Sequence, residues 1–202
     1  MIVIKKLCKS FGSKVIFRDF DLEIKDGEFI FLSGESGCGK TTLLNMIGGI
    51  ERQDSGIIEI DGNSVTDKKF HRTYYKTIVG FLFQNFALMD DKTVKANLDI
   101  VKNSCRTSVS NEEALEFVGL SDKINQYVYT LSGGEQQRVA LARLLVKKCN
   151  IILADEPTGS LDRKNADIVM ELLDKLNKIG KTVIVVTHDE KAVKMGKRVV
   201  YL

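Results

Sequence analysis

Gly34-Glu35-Ser36-Gly37-Cys38-Gly39-Lys40-Thr41-Thr42 fits the pattern G-x-x-x-x-G-K-[ST] of a phosphate-binding P-loop. Its flanks suit that reading. Glu28 to Ser33 is a short apolar run bounded by Gly27 and Gly34, which predicts a buried strand. Thr41 to Gly48 carries Leu43, Leu44, Met46 and Ile47, which predicts a helix ended by Gly48-Gly49. The glycines therefore fall at a strand-to-helix turn. Backbone N–H groups converge there, and the helix N-terminus adds positive potential. Lys40 would reach the β- and γ-phosphates, and Thr41 would ligate Mg²⁺.

A second stretch repeats the same physics. In Leu131-Ser132-Gly133-Gly134-Glu135-Gln136-Gln137-Arg138 a Ser-Gly-Gly precedes a helix, marked by Val139, Ala142 and Val146, that runs to Lys148. That is another anion-binding helix start. One phosphate needs one cradle. Two in one chain suggest two nucleotides, or the two ends of a sandwich between two copies.

Ile151 to Ala154 predicts a buried strand ending in Asp155-Glu156-Pro157-Thr158. Carboxylates at a strand's C-terminal end sit where open α/β sheets hold ligands. Asp155 suits a Mg²⁺ shell and Glu156 suits taking a proton from an attacking water. Thr182 to Thr187 predicts another buried strand, with His188 at its tip. His188 alone reads equally as structural or catalytic; beside a phosphate site it reads as a γ-phosphate contact.

The remaining chain supplies scaffold. Met1 to Leu7 predicts a strand, and from Phe20 the alternation through Ile24 predicts a half-buried antiparallel one. Between them, in Lys9-Ser10-Phe11-Gly12, Phe11 would either stack on an adenine or pack in the core or an edge. Ile57 to Ile60 reads as a strand between turns. Thr66 to Lys76 reads as a polar surface helix with a solvated His71, and Ile78 to Phe83 as a strand directly before Gln84. Asn85 to Thr130 is polar and mostly helical in pattern. Thr93 to Val101 is one helix there, and a capping box at Ser110 to Glu113 opens another reaching Val118. Ile168, Val169, Leu172, Leu173 and Leu176 stripe a core helix over Lys164 to Ile179, ended by Gly180. Arg198 to Leu202 reads as a closing edge strand.

The 202 residues suffice for one well-buried domain. Thirty basic and 27 acidic residues leave a net charge of +3, with no basic run to suggest nucleic acid. Cys8, Cys38, Cys105 and Cys149 show no metal spacing, and with no signal peptide they read as reduced cytosolic thiols. No apolar run approaches the roughly 18 residues that span a bilayer. A membrane role would come through a partner.

These motifs in this order resemble the nucleotide-binding subunit of an ABC transporter, over essentially the whole chain. Leu131 to Arg138, which resembles the ABC signature, carries most of the likeness. The resemblance implies an α/β fold: a P-loop NTPase, RecA-like core with a mainly parallel sheet, an N-terminal antiparallel β subdomain and an inserted α-helical subdomain. Residues 1–202 would form one ATP-binding domain, with 1–84 and 131–202 as core and 85–130 as the helical part. It implies ATP and Mg²⁺. Phe11 would take the place of the adenine-stacking aromatic, usually tyrosine. Gly34, Glu35, Ser36, Gly37, Cys38, Gly39, Lys40, Thr41 and Thr42 would be the Walker A loop. Gln84 would be the Q-loop glutamine, touching Mg²⁺ and water and signalling to the membrane subunit. Ser132, Gly133 and Gly134 would hold the γ-phosphate bound by the other copy.

Asp155 would be the Walker B aspartate and Glu156 the catalytic base. Gly159 to Asp162 resembles the D-loop, and His188 would be the switch histidine. The metal contacts would be Thr41, Gln84 and Asp155. Implied partners are a second copy in the ATP-bound state and an integral membrane permease, placing the chain peripherally at the inner membrane face. Leu43 to Gly49, Phe83 to Met89 and Ala154 to Asp162 are similar to the MacB/LolD branch, which exports peptides, lipoproteins, bacteriocins or drugs. Phe81 to Leu88 is similar to a bacteriocin-export group of the lactococcin 972 type. A groove by Gln84, Phe86, Leu88 and Met89 would receive a permease helix, unless those residues are lobe core. The alternative is an FtsE-like ATPase acting on a membrane partner without transport.

Overall fold

The computed structural model describes residues 1–187 and 196–202. Two sheets organise it. In the first, β1 (Ile2–Phe11) turns at Gly12 into β2 (Lys14–Ile24). On its other edge β1 pairs with β4 (Ser55–Ile60), which carries the short β5 (Asn63–Ser64). All these pairings are antiparallel. The second sheet is wholly parallel, in the order β6 (Val79–Leu82), β7 (Ile151–Asp155), β8 (Thr182–Val186), β3 (Phe29–Ser33), β9 (Arg198–Tyr201). As predicted, Arg198–Tyr201 takes an edge.

The strand sequences explain their placement. In β3, β7 and β8 nearly every residue is apolar because both faces are covered. Phe29, Phe31, Ile152, Ala154, Val183 and Val185 face one core, shared with α5 (Gly133–Val146) and α6 (Arg163–Lys178). Their neighbours Ile30, Leu32, Ile151, Leu153, Ile184 and Val186 face a second core, shared with α1 (Lys40–Ile47) and the antiparallel sheet. The period of two thus splits one apolar run between two hydrophobic layers.

Between β6 and α5 the chain is helical. It forms α3 (Val94–Asp99), α4 (Asn111–Phe117) and three short 3-10 turns. The Ser110 capping box is present, with Glu113 answering the Ser110 backbone N–H. Val94, Leu98, Ala114 and Leu115 join the first core, so α5 is the seam between this lobe and the parallel sheet. Among the described residues no helix is long and apolar enough to cross a membrane.

Three local readings change. The first strand, read over Met1 to Leu7, runs on through Lys9-Ser10-Phe11; Lys9 is buried and reaches the Glu51 carboxylate at 2.6 Å. The predicted polar helix is α2 (Lys68–Thr73) running into a π-turn at Tyr74–Ile78. That turn buries Tyr74 completely, and its hydroxyl donates to the Ile47 carbonyl at 2.8 Å. His71 is not a solvated side chain: it is half-buried, 3.1 Å from the Gly49 carbonyl and edge-on to Tyr75.

Because every strand of the second sheet runs the same way, the C-terminal ends of β3, β6, β7 and β8 share one edge. The segments beginning at Gly34, Phe83, Glu156 and Thr187 all leave from it. Ligands in open parallel sheets bind at that edge.

Candidate functional site

The loop after β3 folds around glycines. Gly34, Gly37 and Gly39 have φ of +148°, +77° and +108°, a region L side chains avoid. Gly39 also has no room: a Cβ there would stand 2.4 Å from Ile16 and 2.9 Å from the Phe17 ring. The loop then opens α1, whose N-cap Gly39 has no side chain to cap the free N–H groups. Lys40 is buried, and its ammonium spans the loop, donating to the carbonyls of Gly34 and Glu35 at 2.9 Å each. It also lies 3.8 Å from Cys38 Sγ. The cavity is about 220 Å³ and is lined by Ile16, Ser36, Gly37, Gly39, Lys40, Thr41, Thr42, Glu156 and Val186. Its shape and charge suit a chain of phosphates.

Thr41 and Asp155 meet across this mouth, the hydroxyl donating to Oδ1 at 3.0 Å. Burial raises the Asp155 carboxyl above its ordinary value, with the Thr41 hydrogen bond pulling weakly the other way. A half-buried carboxylate beside a hydroxyl lacks compensating positive charge, and both are hard oxygen donors. The pair therefore fits a Mg²⁺ ion shared with phosphates, a type of site that needs only one or two protein ligands. Glu156 follows with φ of +46°, a strained backbone for a residue with a side chain. Its N–H is fixed by the Val186 carbonyl at 3.0 Å.

A larger cleft of about 680 Å³ adjoins the site, lined by Phe83, Gln84, Asn85, Phe86, Gly133, Asp155 and Ser160. It brings Gln84 together with Asp155. Phe86 and Ala87 then take two successive left-handed conformations, φ +60° and +47°, each costing about 1–2 kcal/mol. Leu88 packs against the helical lobe, and Met89 is pinned by Asn97, whose amide bonds both its N–H and its carbonyl. Neither lines that cleft. The apolar hollow lies alongside instead: about 390 Å³, walled by Tyr75, Phe81, Phe83, Ile100 and Val101 and rimmed by basic side chains.

Ser132 caps α5 with a full capping box. Its N–H and hydroxyl both donate to the Glu135 carboxylate at 2.8 Å, and its Oγ in turn accepts the Glu135 N–H. Ser132, Gly133 and Gly134 do not line the P-loop cavity of their own chain. Gly134 is glycine for space: a Cβ would fall 2.3 Å from Asn165. Asn165 is tied to Asp162, the N-cap of α6, and accepts from Arg138 at 2.9 Å. Phe11 stands apart at the end of β1. It is 49% exposed and outside the core, with the Lys9 ammonium 4.7 Å from its ring centre. His188 lies outside the described residues.

Several contributors escaped the sequence reading. Ile16 walls the cavity and Lys14 Nζ donates to the Gly37 carbonyl at 3.2 Å, both delivered by β2. Gln137, fully buried, donates to the Pro157 carbonyl beside Glu156 at 2.6 Å. Arg143 reaches the carbonyls of Phe86 and Ala87. A polar side chain inside the buried stripe of α5 was the available signal.

A P-loop, a strand-end carboxylate pair and a second glycine-opened helix on one parallel sheet define an ATP-binding subunit of the P-loop class. The family model for ABC transporters matches residues 17–159, and the chain belongs to that family. It is 38% identical to the lipoprotein-releasing system ATP-binding protein LolD of Bacteroides fragilis, over 100% of this chain and 97% of LolD. It is 39% identical to the macrolide export ATP-binding/permease protein MacB of Campylobacter jejuni over 99% of its length, which spans only 32% of MacB. In structure it is similar to the dimeric ATP-binding cassette MJ0796 of Methanocaldococcus jannaschii bound to ADP and Pi. There the TM-score is 0.84 and the identity 36%, over 100% of this chain and 94% of that one. The chain is an ATPase, of the kind that energises a membrane permease.

Proposed function

We propose that two copies of this chain sandwich two ATP molecules and hydrolyse them at composite sites. The observation that carries this is the separation within one chain. The P-loop cavity holds Lys40, Thr41 and Glu156, while the Ser132 to Gly134 corner lies outside its lining. A helix start with free N–H groups has a use for the γ-phosphate of another copy. The solved relative MJ0796 is dimeric with its nucleotide products bound.

In the assembled site Lys40 leaves the Gly34 and Glu35 carbonyls for the β- and γ-phosphate oxygens. The loop's N–H groups and the α1 N-terminus hold the remaining charge, through residues Gly34 to Thr42. Phe11 stacks on the adenine. Thr41 and Asp155 hold Mg²⁺ with help from Gln84; bound there, the ion neutralises phosphate charge. Glu156 accepts a proton from a water attacking the γ-phosphorus in line, and the Ser132 loop of the other copy and His188 stabilise the charge that develops. ADP and phosphate leave, and the copies part. Binding favours the joined state and hydrolysis the open one, a ligand-biased switch.

The output goes to a separate permease, which holds the chain at the cytoplasmic face of the membrane. The hollow walled by Tyr75, Phe81 and Phe83 and rimmed by Lys76, Lys102 and Lys147 suits a permease segment bearing apolar side chains and carboxylates. Cargo is chosen by that permease; the relatives' names cover lipoprotein release, macrolide export and hemin import. The test is the ATPase rate of the isolated chain against its own concentration. A composite site gives a rate rising more steeply than linearly, and strict proportionality from dilute to concentrated protein refutes the sandwich.

A further inference from the structure

Helix α5 does more than present the Ser132 corner. It is a single rod of 14 residues whose side chains reach three other segments of the sheet edge. Near its start Gln137 holds the Pro157 carbonyl and Arg138 holds Asn165. Two turns further on, Arg143 Nη1 donates to the Ala87 carbonyl at 2.7 Å and Nη2 to the Phe86 carbonyl at 3.2 Å. Those two carbonyls belong to the two consecutive left-handed residues that follow Gln84 and Asn85.

The strain there needs a holder. The backbone supplies little: Phe86 N–H bonds the Phe83 carbonyl at 3.1 Å and Ala87 N–H the Asn85 carbonyl at 2.7 Å, both local. A left-handed pair without glycine persists only when its surroundings over-determine it. Among the described residues, the charged group on both carbonyls is Arg143. Its planar fork suits two diverging acceptors in a way a lysine cannot match. The guanidinium is half-buried, and burial pulls its pKa down.

We propose that Arg143 is a positioning residue for Gln84: by gripping the Phe86 and Ala87 carbonyls it fixes the turn that keeps Gln84 in the cleft with Asp155 and Gly133. Gln84 sits close to the hydrolytic segment, since a methyl on Gly159 would lie 3.4 Å from its Nε2. Arg143 also lines the basic-rimmed hollow, next to Phe83. One side chain thus touches the α5 rod, the turn after Gln84 and the wall of the hollow. A segment entering that hollow would meet the same guanidinium that sets Gln84, and the opposite end of the same rod carries the cradle for the other copy's phosphate.

This inference rests on the ATPase reading, and the experiment separates the two. The isolated chain is assayed at fixed high concentration for kcat, KM for ATP and melting temperature. Arg143→Met keeps the stem and removes the fork; kcat falls on the order of 10-fold while KM stays within about 2-fold. Arg143→Lys falls between. Ala87→Gly alone leaves kcat near the parent's value. Added to Arg143→Met it restores kcat at least about 3-fold, because glycine takes the left-handed conformation without a holder. Gln84→Ala added to Arg143→Met costs little further, since both act through one group.

A structural role alone predicts otherwise: melting temperature falls, Ala87→Gly restores nothing, and the losses at Arg143 and Gln84 add. That pattern, or an unchanged kcat in Arg143→Met, overturns the inference while leaving the ATPase reading intact. Should Arg143→Met not fold, Arg143→Lys with and without Ala87→Gly decides by the same rescue. A parent chain without ATPase activity refutes both.

Discussion

Thr41 Oγ1 stands 3.0 Å from Asp155 Oδ1, although 114 residues separate them in sequence. The contact exists because β3 and β7 both flank β8 in one parallel sheet, and both end on the same edge. The P-loop leaves one strand and the carboxylate pair leaves the other. The hydroxyl and carboxylate approach where a small divalent ion and a phosphate would replace their mutual hydrogen bond.

Asp155 makes that exchange testable through stability. Burial raises its carboxyl above the ordinary value, so the fold prefers the protonated form. A group raised in this way contributes fully below its unfolded value and loses that contribution as pH rises through its folded value. At neutral pH the bare carboxylate is therefore a cost. Asp155→Asn should raise the melting temperature of nucleotide-free protein at pH 7 by up to about 3 °C, a gain that vanishes near pH 4. The same change should lower ATP hydrolysis on the order of 100-fold. Differential scanning fluorimetry across pH, with a steady-state ATPase assay, checks both; a lower melting temperature at pH 7 contradicts the reading.

Lys40 donates to two carbonyls of its own loop. In the proposed site those contacts would pass to phosphate oxygens, so its value would lie in the difference between carbonyl and phosphate acceptors. Charge-assisted hydrogen bonds to phosphate are roughly twice as strong as neutral ones. Lys40→Ala should weaken ATP binding by about 100-fold or more. Calorimetric titration of ATP into the purified variant measures it, and retained affinity contradicts the P-loop assignment.

Glu156 can be separated from binding. Its φ of +46° is set by the backbone, with the N–H on the Val186 carbonyl, so the isosteric amide should keep the geometry. Glu156→Gln should bind ATP, lose turnover by about 100-fold or more, and accumulate as the joined pair. Light scattering with MgATP should then give twice the 22.6 kDa of one chain. A monomer under saturating nucleotide counts against the sandwich.

Much of this site was legible because its parts are local. The P-loop needs glycines at fixed spacing, and Gly34, Gly37 and Gly39 all have positive φ. The parallel strands announced themselves as apolar runs because both their faces are covered. The Ser110 and Ser132 capping boxes were readable or half-readable from three-residue spacing. What stayed hidden is non-local. Tyr74 sits in a polar stretch, and nothing local says that its hydroxyl will find the Ile47 carbonyl at the end of α1. The burial of Lys9 was not legible because its partners Glu51 and Asp54 arrive from beyond the P-loop helix. Arg143 carries no local signal either, since its acceptors, the Phe86 and Ala87 carbonyls, lie more than fifty residues away.

Glu135 carries the last prediction. It occupies the third position of α5, where a carboxylate closes the capping box. The Ser132 N–H holds its pKa below the ordinary value, helped by the Ser132 hydroxyl and then by Lys123 and Arg138. A depressed carboxyl stabilises the fold above its unfolded value and loses that stabilisation as pH falls through its folded one, so the box is intact at neutral pH. Its charge, however, sits where the proposed sandwich would bring the other copy's γ-phosphate. Lys123, with its Nζ 3.7 Å from Oε1, offsets only part of that repulsion. Glu135→Gln keeps acceptors for the Ser132 N–H and hydroxyl but removes the negative charge. In the Glu156→Gln background it should tighten the ATP-bound pair by ~2- to 5-fold, the size of one charge at a helix end. The weaker cap should lower the melting temperature slightly. Sedimentation equilibrium at low and high salt distinguishes the cause. A charge effect shrinks as the screening length falls to about 3 Å near 1 M salt, whereas a lost structural contact does not. A looser pair at both salt concentrations would mean that Glu135 orders the Ser132 corner more than it repels the phosphate.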